Sequence, residues 1–156
     1  MKKTLSLGII FLALAQFSYA ENNNIIKDKI IINDAWVREV PPGTSVSAVY
    51  LTIENKGDDD KLVGMSSEAA ENAELHTSKV DENGVATMEM IKILDIPSDN
   101  AVELEPGGMH IMLIGLKESL VGKESVNLKL VFDEAGDIVI EVPVKKVGQG
   151  GHKHHH

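Results

Sequence analysis

SVNLKLVF (125–132), followed by DEAG (133–136) and DIVIEVPVKKV (137–147), decides the class of fold. In the first run Val126, Leu128, Leu130 and Phe132 alternate with Asn127, Lys129 and Val131. A period of two places the first set on one face of a strand and the second set on the other. A turn-forming tetrapeptide then leads into a second β-prone run, so the segment reads as strand, turn, strand. Working outward, the same pattern recurs. The runs are 30–40, 45–55, 61–67, 73–80, 86–94, 101–105 and 109–116, separated by PPG (41–43), NKGDDD (55–60), DENG (81–84), PSDN (97–100) and PGG (106–108). Many short strands at such spacing predict an all-β domain, an antiparallel sandwich or barrel. In SVSAVYLTIEN (45–55) one face carries Val46, Ala48, Tyr50 and Thr52 and the other Ser47, Val49, Leu51 and Ile53. Both are largely apolar, so periodicity does not choose between them. SSEAAENAEL (66–75) is the best helical candidate, predicted as one short turn before a strand.

Composition narrows the function. The 156 residues carry 15 Lys+Arg against 24 Asp+Glu, a formal charge of −9, which argues against nucleic acid as a partner. Cysteine is absent. That excludes disulfides, thiolate nucleophiles, zinc-thiolate sites and blue-copper electron transfer. Met1-Lys2-Lys3, the apolar run Leu5 to Ala15, and Ser18-Tyr19-Ala20 have the pattern of an export signal cleaved after Ala20. No cysteine follows that point, so no lipid anchor on cysteine is expected, and no later run is apolar enough for stable membrane insertion. The expected organisation is a signal peptide (1–20), a polar leader (21–29), a β domain (30–147) and a Gly/His-rich tail (148–156), in a protein exported to a periplasm.

Soft-metal donors are few. Beyond the signal, methionines stand at 65, 88, 90, 109 and 112, and histidines at 76, 110, 152, 154, 155 and 156. In MHIMLIGL (109–116) His110 and Met112 share one strand face, while Met109, Ile111 and Leu113 form the expected core face. Met88 and Met90 likewise share a face. Imidazole with thioether is a donor set for Cu(I), and a thioether needs no deprotonation to bind. The competing expectation is packing, since a strand methionine commonly fills a core. Packing is favoured for Met65, Met90 and Met109, and both uses stay open for His110 and Met112.

The spacing His76-x11-Met88-x21-His110-x-Met112 resembles the ligand pattern of the PCuAC family of periplasmic copper chaperones. AWVRE (35–39), AVYLTIEN (48–55), KLVG (61–64), AELH (73–76) and ELEPGGMHIMLIGLK (103–117) resemble segments of that family too. Thr77 departs from it, where a second methionine often follows the first histidine. The resemblance implies a Greek-key β-sandwich of cupredoxin-like (immunoglobulin-like) type and a Cu(I) site made by His76, Met88, His110 and Met112. It also implies a non-enzymatic role, delivery of Cu(I) to a respiratory oxidase subunit of Cu-A type or to its assembly factors.

The tail histidines His152, His154, His155 and His156 suit Cu(II) or Zn(II) as a second site. A solvated tail with no metal role and the remnant of an expression tag stay open beside that reading. If the tail were the main site, the protein would be a copper or zinc buffer. A sugar-binding or adhesion module would need an aromatic platform, which Trp36, Tyr50 and Phe132 do not obviously form.

Overall fold

The computed structural model describes residues 25–147, which form eleven strands and no helix. In chain order they are β1 (Ile25–Lys27), β2 (Ile30–Arg38), β3 (Val46–Asn55), β4 (Asp60–Ser67), β5 (Ala70–Val80), β6 (Ala86–Met90), β7 (Leu94–Ile96), β8 (Ala101–Leu104), β9 (Met109–Leu116), β10 (Ser125–Phe132) and β11 (Gly136–Lys145). The strands follow one hydrogen-bonded path, β6-β5-β9-β3-β2-β11-β10-β4-β7, with β1 added to β2 and β8 to β3; the β2–β11 junction divides it into a first sheet (β6 to β2) and a second (β11 to β7). All pairs are antiparallel except one: β11 joins β2 in parallel, Val144 opposite Val37 and Lys145 opposite Arg38. The fold is all-β, as the strand pattern predicts.

Both sheets contribute to one core. From the first come Ile30, Ile32, Val37, Val49, Leu51, Ile53, Leu75, Ile111 and Leu113; from the second come Leu62, Val126, Leu128, Leu130, Phe132, Ile138, Ile140 and Val142. The alternation of β10 therefore holds, and β3 is resolved: Val49, Leu51 and Ile53 face inward, so Ala48 and Tyr50 face outward.

A bulge in β2 sets up the outer face. Asn33 pairs with Thr52 and Trp36 with Tyr50, so three steps on β2 oppose two on β3. Asp34, at φ 52°, absorbs the extra residue. The slip changes parity along the strand. Ile30 and Ile32 point in before it, Val37 points in after it, and Trp36 joins Tyr50 on the outer face.

Three local expectations change. Residues 66–75 hold no helical turn: β4 ends at Ser67 and β5 begins at Ala70. The alanines and glutamates there favour helix weakly, but burial of Ala69 and Ala70 and pairing with β9 override that preference. The run 86–94 is not one strand, because β6 pairs β5 in one sheet and β7 pairs β4 in the other. The polar leader includes a strand, since Ile25–Lys27 folds back on β2 through Asp28 and Lys29, both at positive φ (47° and 70°).

Candidate metal site

Strand register brings the four candidate donors to the outer face of the first sheet. His76 on β5 lies directly opposite His110 on β9. Met112 lies opposite Glu74 on β5 and opposite Ala48 on β3. Met88 on β6 lies opposite Ser78. His76, Ser78 and Glu74 are two residues apart, so all of these share one face. Their neighbours Leu75, Ile111 and Leu113 are core residues on the other face.

The geometry divides the set. Met88, His110 and Met112 line one groove of about 360 Å³ together with Tyr50, Ser78 and Gly107. His76 stands beside it, its ring nearly parallel to that of His110, with centroids 6.3 Å apart and planes inclined by 24°. His110 is 5% exposed, whereas Met88 is 62% exposed on a strand whose five residues are all exposed. The candidate site therefore has an inner wall on β9 that includes the buried His110 and an exposed outer wall on β6.

The turn before β9 fixes one imidazole. Gly108 N–H donates to Glu105 C=O over 3.0 Å, and Gly107 has φ 87°. Pro106 pre-sets its own φ and Gly107 supplies the positive one, which makes a type II turn. The Gly108 carbonyl then accepts from Ser78 N–H (3.1 Å) and from His110 Nδ1 (3.1 Å). A carbonyl only accepts, so Nδ1 carries the proton and Nε2 keeps its lone pair. His76 is held in the complementary way. Its Nε2 donates to Glu74 Oε2 at 2.9 Å, and its Nδ1 is buried with no hydrogen-bond partner. Each ring thus has one anchored N–H and one free donor nitrogen, the arrangement that outer partners impose on metal-binding histidines.

Among the described residues no three His, Cys, Asp or Glu side chains come together in a way that holds a metal ion. The soft donors that share this face with the two imidazoles are methionine sulfurs. Met65 and Met109 are partly buried against the core, as expected. Met90 is not: it lies 48% exposed, opposite His76 on the outer face. Filling a core requires a side chain that points into one, and Met90 has the parity of Met88. Thr77 faces away from this surface, so its departure from the family pattern leaves the face unchanged. Glu74 is the residue that sequence reasoning missed; its signal was a carboxylate two positions before His76 on the same strand face. Trp36 and Tyr50 extend the row, with ring centroids 4.6 Å apart, and Tyr50 sits 6.4 Å from His110. Residues 1–20 and the tail histidines lie outside the described residues.

Comparison with known proteins adds the family. The family description LpqE-like, "Putative lipoprotein LpqE-like", matches residues 30–144. The chain belongs to the LpqE-like family. A curated relative, "Putative lipoprotein Lxx21020" of Leifsonia xyli subsp. xyli (strain CTCB07), is 34% identical over 120 residues, covering 76% of this chain and 70% of the relative. Among solved structures, the LpqE-like chain resembles "CuI-DR1885 from Deinococcus Radiodurans" at 32% identity and TM-score 0.59, covering 84% of this chain and 85% of that one. It also shares the fold of the "Copper-bound PCuAC domain from PmoF2", at 22% identity and TM-score 0.68, covering 80% and 98%. The fold of this LpqE-like protein is thus that of PCuAC domains.

Proposed function

We propose that this LpqE-like protein is an exported, non-enzymatic carrier of Cu(I), held by His76, Met88, His110 and Met112. The observation that carries the proposal is the single outer face on which two imidazoles, each with one free nitrogen, stand beside the thioethers of Met88 and Met112, with Met90 on the same face. Imidazole combined with thioether matches the softness of Cu(I) better than that of Zn(II), which pairs imidazole with carboxylate or thiolate. The Cu(I) form of the DR1885 relative, at 32% identity, supports the same cargo.

Release follows from where the donors sit. His110 and Met112 are fixed on β9, between β5 and β3. Met88 stands on an edge strand that pairs only with β5 and buries none of its residues. Such a strand opens at low free-energy cost, so one sulfur can leave without disturbing the core. An acceptor with thiolate ligands then outcompetes the neutral donors that remain. The intended acceptor is a copper centre of a respiratory oxidase, Cu-A type, or its assembly factors, reached in the periplasm. The tail histidines are assigned an accessory role, capturing Cu(II) or Zn(II) close to the core site.

The test is transfer. Cu(I)-loaded protein is mixed anaerobically with a purified Cu-A domain in its reduced, metal-free form, and copper in the separated proteins is counted. Movement to the acceptor is expected. Retention on the carrier with excess acceptor present would contradict delivery and favour a storage role.

A further inference from the structure

We propose that Met90 is an exchange ligand, bound to copper only in transit, through which Cu(I) enters and leaves by way of His76. The inference rests on the Cu(I) reading above and adds a residue outside its four-donor set.

Three observations carry it. Met90 is the direct cross-strand partner of His76, which is in turn the direct partner of His110. Directly opposed side chains in an antiparallel pair start about 5 Å apart at Cβ, within reach of a flexible thioether. His110, His76 and Met90 therefore form one rung of the sheet that runs from an interior strand to its free edge. Exposure rises along that rung: His110 is 5% exposed, His76 is intermediate, and Met90 is 48% exposed. Finally, His76 Nδ1 is buried without a partner, so the middle group of the rung retains a free lone pair. A strand residue needed only for β structure at an exposed edge would be served by Thr or Val. Met90 is not among the side chains packed against the core, so filling the core does not account for a large soft side chain there.

The chemistry is a ligand exchange without redox change. Copper stays Cu(I), one Cu–S bond to Met90 forms as one bond to an inner donor breaks, and no proton moves because a thioether carries none. Cu(I) tolerates two to four ligands, so each step proceeds through a partly coordinated ion that never returns to bulk water. Met88 lies one rung away, opposite Ser78, on the groove that also contains His110 and Met112. Met88 completes the resting site, and Met90 serves the path out of it.

The experiment separates affinity from rate. Full-length protein, Met90→Leu and Met88→Leu are loaded with Cu(I) and challenged anaerobically with bathocuproine disulfonate. Equilibrium competition gives affinity, and stopped-flow absorbance gives the transfer rate. Met90→Leu is expected to keep its affinity within about threefold and to transfer roughly tenfold more slowly, the scale of losing one metal-site partner. Met88→Leu is expected to lose affinity. Transfer by Met90→Leu at the parent rate would make Met90 an ordinary surface residue and overturn the proposal. A loss of affinity equal to that of Met88→Leu would also overturn it, by making Met90 a resident ligand. If the parent itself bound no Cu(I), the four-donor reading would fall first, and that failure is visible before any variant is compared.

Discussion

Glu74 is predicted to tune the copper site without touching copper. Its carboxylate takes the N–H of His76 Nε2 at 2.9 Å and so leaves Nδ1 as the ring's donor atom. Replacing Glu74 with Leu removes that anchor, and the ring is then free to rotate and to move its proton to Nδ1. Loss of such outer partners commonly costs about 10- to 100-fold in metal affinity. Glu74 is 36% exposed at its side chain, so water substitutes for part of its role and the low end applies. The expected loss is about tenfold, or ~1.4 kcal/mol. Glu74→Gln supplies the control, because the amide oxygen accepts the same N–H. It is expected to bind within about threefold of the parent, since the hydrogen bond survives and only the charge is lost. The assay is anaerobic Cu(I) competition with bathocuproine disulfonate on all three proteins. Equal affinity in Glu74→Leu and parent would refute the anchoring argument. Equal losses in the Leu and Gln variants would shift the cause to charge, and refute it as well.

Other predictions concern the frame and the exposed arm. Asn55 is 1% exposed, donates to Asp58 C=O (2.6 Å) and Ile96 C=O (2.9 Å), and accepts from Gly57 N–H (2.8 Å). Asn55→Ala breaks all three at the joint between the sheets and should cost about 3 kcal/mol in urea unfolding followed by Trp36 fluorescence, while Cu(I) affinity stays unchanged. A cost below about 1 kcal/mol would mean that water replaces these bonds freely. On the β5–β6 arm, the hydrogen bond and then the charge of Lys79 hold the Glu89 carboxyl below its ordinary range. Lys79→Ala should raise it back, as read by an NMR titration of the Glu89 side chain. A depressed carboxyl favours the folded arm above its unfolded range and loses that benefit as pH falls through its folded value. Because Glu89 is fully exposed, no measurable change in global stability is expected.

Much of the fold was legible in the sequence, for identifiable reasons. β10 was readable because one of its faces is apolar and the other largely polar, as the core on one side demands. β3 was not, because both its faces are covered: Val49, Leu51 and Ile53 by the core, and Tyr50 by Trp36 and His110. The bulge at Asp34 was hidden because periodicity assumes constant parity, and one extra residue inverts it. The break between β6 and β7 was masked by the apolar side chains of Ile91 and Ile93, which continue the pattern across a change of sheet. At the site, the two-residue step from His110 to Met112 gave a shared face directly. Which residues oppose them across the sheet depends on register between distant strands, which the periodicity of one strand does not reveal. For that reason Met90 passed for packing and Glu74 went unnoticed, although both lie on the histidine face.

The most direct test is the coordination of the bound ion. Residues 21–148, without the histidine tail, would be loaded with one equivalent of Cu(I) and measured by copper K-edge X-ray absorption, beside Met112→Ala. A shell of mixed nitrogen and sulfur is predicted, with sulfur reduced in the variant. A shell of nitrogen and oxygen alone, unchanged by Met112→Ala, would contradict the His/Met site and place the metal elsewhere in the chain.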